Sequence, residues 1–316
     1  MAFRREFYNS RRTPSPALQV STPGGQMEAH EPIILSLPKR RAAQHERTNL
    51  RLEFGRLRYQ LRLLRHWWLA SHRAYQPFFV IASARTGSNL LVEYLNQIPG
   101  VHCLSEILNW RSPIAPSPRT STAGAIRHIQ RWLQTERTAL RGCKLFFNHL
   151  DDFGLELRDL EIAFPGARYL VLYREDMAEQ FVSLEAARLT DQWLLRAGEK
   201  RKQLPVTVDS ASLRRFCDDT RRDYQQLLSH PAVHHRGSIF SYEELIENPA
   251  QSMRQHVCSF LGVQPIEPQA PLRKQNPEPL AARVANYASV GALMASPLCQ
   301  QHHSLLPQRT TRRRAA

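Results

Sequence analysis

Residues 78–82, Phe-Phe-Val-Ile-Ala, form an unbroken apolar run, and Ser83-Ala84-Arg85-Thr86-Gly87-Ser88-Asn89 follows it at once. A strand that is apolar on both of its alternating faces must be covered on both, which is the condition of a strand inside a parallel sheet. Beyond the turn, Leu90, Leu91, Tyr94 and Leu95 recur at helical spacing, and Pro99-Gly100 ends the pattern. The first structural unit is therefore strand, tight turn, helix.

The same alternation continues along the chain. Residues 101–104, 142–147, 169–173 and 238–242 read as further strands, and 125–133, 176 to about 189, and 250–261 as helices, with Asp176 a candidate N-cap. Residues 111–124, rich in Pro and Ser, read as a loop. Strands alternating with helices predict an α/β fold with a central parallel sheet and right-handed crossovers. No internal repeat interrupts the pattern.

The termini differ in character. Residues 1–40 combine arginines with five prolines and predict a disordered basic arm. In 41–76, Leu50, Phe54, Leu57, Leu61, Leu64 and Trp68 fall on one helical face and arginines on the others, so a basic amphipathic helix is expected. Its apolar face suits packing on its own domain, a partner helix, or an anionic membrane surface. The chain carries a net charge of +15, of which residues 1–76 hold +9, the tail 307–316 holds +4, and the body 77–306 only +2. The body is thus not a nucleic-acid-binding surface by charge, and no specific nucleic-acid partner is expected. The chain has no apolar stretch of membrane-spanning length, no apolar leader in its first thirty residues, and five scattered cysteines without a C-x-x-C pair. These features favour a cytoplasmic protein, peripheral to the membrane at most, with neither a zinc site nor a disulfide framework.

The turn after the first strand carries the chemistry. Backbone N–H groups at a helix start lack helical acceptors, and the helix dipole favours an anion there. Gly87 permits close approach, Thr86, Ser88 and Asn89 add side-chain donors, and Arg85 adds a fixed charge. The turn lacks the first Gly and the Lys of the nucleotide P-loop, and the strand at 169–173 ends on Arg174 rather than on a metal-binding carboxylate. That opposes a magnesium-dependent kinase or NTPase, which stays as one alternative; a basic membrane or nucleic-acid adaptor with a nucleotide-binding body is another. Arg174, Ser183 nine residues later, and Arg273-Lys274-Gln275-Asn276-Pro277 supply further anion-binding candidates, suiting a ligand with two separated anionic groups.

Phe79–Leu91, Ser105-Glu106, Tyr173–Ala186, Trp193, Lys274–Pro277 and Asn286-Tyr287 together resemble the bacterial trehalose 2-sulfotransferase-like group of sulfotransferases that use 3′-phosphoadenosine-5′-phosphosulfate (PAPS). The resemblance covers roughly residues 78–290. It implies a P-loop-like three-layer α/β fold and PAPS as co-substrate, with no metal. Arg85, Thr86, Gly87, Ser88, Asn89 and Leu90 would bind the 5′-phosphosulfate, Arg85 also taking part in catalysis. Arg174 and Ser183 would bind the 3′-phosphate, with Lys274 and Gln275 assisting at the nucleotide. Three positions depart from the relatives: Thr86 and Asn89 stand where a Ser and a Thr are more usual, and Glu175 where a second arginine often follows the first. Glu106 would be the base for the acceptor hydroxyl, served by a raised carboxyl pKa, with His102 and His149 as runners-up. Lys144, on the third strand, reads equally as a group that reaches the leaving group and as a surface lysine with a buried stem. The expected acceptor is a sugar, glycolipid or related hydroxylated metabolite, shaped by residues 111–124 and the basic stretch 199–202. The sequence carries no signal of oligomeric state.

Overall fold

A computed structural model describes residues 74–301, except 111, 113, 118, 197 and 271. The expected arm, all of the amphipathic helix but its last residues, and the basic tail lie outside that range. Residues 74–75 are irregular and Gln76 already opens the first strand.

Five strands form one sheet: β1 (Gln76–Ala82), β2 (Val101–Leu104), β3 (Leu140–Phe146), β4 (Arg168–Tyr173) and β5 (Gly237–Ser241). All pairings are parallel and the order is β2-β3-β1-β4-β5, so β1 lies at the centre. Its alternation explains the unbroken apolar run. Phe79 and Ile81 join one core with Leu145, Val171, Trp132 and Tyr224. Phe78, Val80 and Ala82 join another with Leu91, Leu95, Leu172 and Val257. Both faces of the sheet are covered, which gives three layers.

The helices that cover it are α1 (Ser88–Leu95), α2 (Thr122–Gln134), α3 (Phe147–Phe153), α4 (Leu157–Ala163), α5 (Met177–Thr190), α6 (Ser210–Leu228), α7 (Pro231–Arg236) and α8 (Tyr242–Glu247). Then α9 (Pro249–Ser252) runs through a π-helical turn, Met253–Cys258, into α10 (Ser259–Leu261). Two short helices close the series, α11 (Leu280–Arg283) and α12 (Tyr287–Met294). A third core joins α5, α6 and α12 through Met177, Phe181, Leu213, Cys217 and Val290.

Asp176 caps α5 as expected, its side chain accepting from the Glu179 N–H. Expected boundaries shift elsewhere for local reasons. Ser121 caps α2, accepting from Gly124 N, so the end of the expected loop is helical. Phe147 and Tyr242, read as strand ends, begin α3 and α8. No helix among the described residues is long and apolar enough to cross a membrane.

Candidate active site

Parallel strands put all their carboxyl ends on one edge, where ligands gather in open α/β sheets. The turn after β1 lies on that edge between β3 and β4. It is tightly wound, with Arg85 at φ 66° and Gly87 at φ 77°. The left-handed region is free for glycine but costs a side-chain-bearing residue about 1–2 kcal/mol, so Arg85 must be held there by its contacts. Gly87 caps α1 without a side chain, leaving the helix's first amides with neither a helical nor a side-chain acceptor.

Two helices fix this turn from outside. The Tyr224 hydroxyl on α6 accepts from Ser83 N–H at 3.0 Å and donates to Leu172 O at 2.7 Å. Gln180 on α5, fully buried, donates to Ala84 O at 2.8 Å. Within the turn, the buried Thr86 hydroxyl donates to Ser83 O at 2.9 Å. The Thr86 hydroxyl proton is thus used within the turn.

Arg85 brings three distant candidates together. Its Nε donates to Ser183 Oγ at 3.0 Å, its Nη1 to Trp193 O at 2.6 Å, and its Nη2 to Gln275 Oε1. Asn276 also donates to Ser183 Oγ, at 3.2 Å. Burial, aided by the nearby Arg174, lowers the Arg85 guanidinium to about 10, which leaves it cationic at neutral pH. Lys274, by contrast, is exposed and is not drawn into this cluster. Leu90 packs as a half-buried apolar residue beside the second core.

Arg174 also reaches the turn. Its Nη1 donates to Arg85 O at 3.3 Å, and its guanidinium lies 4.8 Å from the centre of the Tyr242 ring. Such stacking contributes on the order of 0.5–2 kcal/mol. Glu179 Oε2 stands 3.5 Å from Nη2 and Glu243 Oε1 3.7 Å from Nε. Arg283 shares Glu179 from the other side. The charge expected of Arg174 is thus largely met by carboxylates. Tyr242 closes the opposite wall, because a Cβ on Gly87 would stand 2.3 Å from its ring Cδ2.

The second group of candidates forms around Lys144. This side chain is fully buried on β3, with Nζ 2.9 Å from Glu106 Oε1 and bonded to Asn89 Oδ1 of the turn. Asn109 donates to the other oxygen, Glu106 Oε2, at 2.6 Å. Burial pushes the Glu106 carboxyl up, but the Lys144 ammonium and its hydrogen bonds outweigh it, so the net direction is down. The expectation of a raised Glu106 pKa is therefore corrected. Beside the carboxylate a cleft of about 320 Å³ opens, lined by Leu104, Ser105, Ile107, Asn109, Ser112 and Ile114.

The two histidines separate. His149 is buried next to this pair, and burial lowers it to about 4, so it is neutral at physiological pH. Its Nδ1 accepts from Phe146 N–H at 3.2 Å. His102 lies instead 3.6 Å from Glu136, away from the turn.

Sequence reasoning passed over Tyr224, Gln180, Tyr242, Asn109 and Arg283. Tyr242 had a usable signal, since it directly follows a strand at the ligand edge. The i, i+4 series Leu213, Cys217 and the buried Thr220 and Tyr224 could likewise have marked α6.

No protein-family model matches the chain. It is 25% identical over 224 residues to Nodulation protein H of Rhizobium meliloti (strain 1021), across 67% of this chain and 88% of that protein. Nodulation protein H from Rhizobium meliloti without strain designation aligns to the same extent. Among solved structures, a sulfotransferase from Alicyclobacillus acidocaldarius superposes with a TM-score of 0.41 at 16% identity, covering 74% of this chain and 99% of that one. The sulfotransferase domain from the curacin biosynthetic pathway superposes with a TM-score of 0.38 at 17% identity, covering 62% and 76%.

Proposed function

We propose that this chain is a sulfotransferase that moves a sulfuryl group from PAPS to a hydroxyl of a carbohydrate, glycolipid or related metabolite. The observation that carries the reading is the convergence at one sheet edge. The uncapped start of α1, Arg85 in the turn before it and Lys144 bonded to Asn89 in its first turn lie at that edge, and a carboxylate bordering a cleft stands beside Lys144. The residues fit such a donor: the helix-start amides are left without partners, and Arg85 stays cationic in the turn before them.

Each group then has a role. The first amides of α1 and Arg85 hold the 5′-phosphosulfate and neutralise charge that grows on the bridging oxygen as the sulfur–oxygen bond breaks. Arg174 and Ser183 take the 3′-phosphate, with Gln275 closing over the nucleotide. Glu106 accepts the proton of the acceptor hydroxyl, which sits in the cleft. A base so placed contributes on the order of 100- to 10,000-fold. The reading assigns no step to a metal ion. It takes 77–306 as the catalytic body in the cytoplasm, with residues 41–70 contacting an anionic membrane surface or a partner helix.

Calorimetric titration with adenosine 3′,5′-bisphosphate tests this. Metal-independent binding that weakens in Arg174→Ala supports the donor site. Binding of ATP with magnesium, and none of the bisphosphate, would overturn it in favour of a kinase or NTPase.

A further inference from the structure

In the resting site both oxygens of Glu106 are engaged: Lys144 holds Oε1 at 2.9 Å, and Asn109 holds Oε2 at 2.6 Å. A carboxylate in that condition is well oriented but a poor proton acceptor, because the ammonium and both hydrogen bonds favour its charged form. Asn109 is a neighbour on the same segment, with its own backbone N–H donating to Glu106 O at 3.2 Å. Lys144 also touches the other half of the reaction, since its ammonium is bonded to Asn89 in the first turn of α1. A fully buried lysine is costly to keep, and a purely structural ion pair would not require this second contact.

Building on the donor site proposed above, we infer that Lys144 is a positioning residue that couples donor occupancy to the base. An anion in the turn draws the ammonium from Glu106 Oε1 toward itself. The freed oxygen then takes the proton of the acceptor hydroxyl. As that proton leaves, the acceptor oxygen bonds to sulfur, the bond from sulfur to the phosphate oxygen breaks, and its electron pair stays on the phosphate beside Lys144. An acceptor arriving before the donor meets a carboxylate whose proton affinity is held down by the ammonium, so productive binding is ordered, donor first.

The surroundings keep the coupling specific. Facing the pair are Arg85 from the turn, Cys103 from β2 and His149 from α3. Burial pushes the Cys103 thiol up to about 12 and His149 down to about 4. Both are neutral at pH 6, and Glu106 is the acid that the Lys144 ammonium touches directly and whose proton affinity its transfer raises.

The test is proton uptake on binding, measured with the full chain by calorimetry with adenosine 3′,5′-bisphosphate in two buffers of different ionisation heat at pH 5–6. Glu106→Gln should bind and set the baseline for protons exchanged by the phosphates of the ligand, and wild type should take up a fraction of a proton more. Lys144→Met should bind more weakly and lose that excess, and Lys144→Arg should restore it. Equal proton exchange in wild type and Glu106→Gln overturns the coupling and leaves the donor site standing. Absence of bisphosphate binding by wild type overturns the donor site itself. Should Lys144→Met not fold, the comparison of wild type with Glu106→Gln decides alone.

Discussion

Replacing Gly87 by alanine tests the turn more sharply than any charge removal. Gly87 adopts φ 77°, and an added Cβ would lie 2.3 Å from Tyr242 Cδ2 and 2.7 Å from Cε2. The left-handed backbone costs an alanine about 1–2 kcal/mol. The overlap costs about 1–3 kcal/mol more, because the contact is with a ring and not a flexible tip. The ring cannot swing away cheaply, since Arg174 lies against it and is itself bonded to Arg85 O. The total, about 2–5 kcal/mol, is a large share of the stability of an ordinary domain. For a body of this size it lowers Tm by roughly 4–20 °C. Urea denaturation and a thermal scan read the loss, and bisphosphate titration reads the displaced Arg174. The companion variant Tyr242→Ala separates the two causes. In the double variant the overlap disappears and only backbone strain remains, so the cycle should show a coupling of about 1–3 kcal/mol. Gly87→Ala as stable as wild type to within about 0.5 kcal/mol, or strict additivity with Tyr242→Ala, would refute the reasoning.

Other consequences are as direct. Glu106→Gln should lower turnover of an accepted hydroxyl compound by about 100- to 10,000-fold while bisphosphate affinity stays near wild type; unchanged turnover removes Glu106 as base. Because the Glu106 carboxyl is held below its ordinary value before the donor binds, the acid limb of kcat/KM for the donor should fall at or below the usual carboxylate range; a limb there near pH 6.5 would point to a histidine instead. His149 binds its proton near pH 4 when folded and near 6.5 when unfolded, so the unfolded chain takes up protons first as pH falls. Stability should therefore drop between pH 6.5 and 4, by about 3 kcal/mol from this residue, and His149→Gln should flatten the slope measured by urea titrations across that range. Tyr224→Phe leaves the Ser83 N–H without its acceptor and should cost about 1–3 kcal/mol in the same assay, with weakened bisphosphate binding; a neutral result would show the turn is held otherwise.

The sequence was most readable where one physical demand fixes both residue type and spacing. The unbroken run at 78–82 could only be a strand covered on both faces, and the structure places it at the sheet centre. Asp176 at the head of a helical pattern has few roles other than a cap, and it is one. Parallel strands likewise put Arg174 and the turn at 85–89 on a common edge, whereas Glu106 came from the resemblance alone. What escaped was pairing across the fold. That Arg174 meets Glu179 and Glu243, or that the Thr86 hydroxyl turns back to Ser83, depends on rotamers and on neighbours far along the chain. The direction of the Glu106 shift failed for the same reason. Burial alone predicts a rise, and only the position of Lys144 on the adjoining strand reverses it.

The central place of β1 has a further consequence for how the chain comes to be folded. Its partners are made much later: Gln76 faces Leu140 on one side, and Phe78 faces Arg168 on the other. Contacts so distant along the chain must close long loops before they return any stabilisation, which slows folding. During synthesis the most apolar strand of the body therefore waits with both edges open until β3 and then β4 leave the ribosome. Fragments ending before β4 should be trapped as aggregates, whatever their helix content.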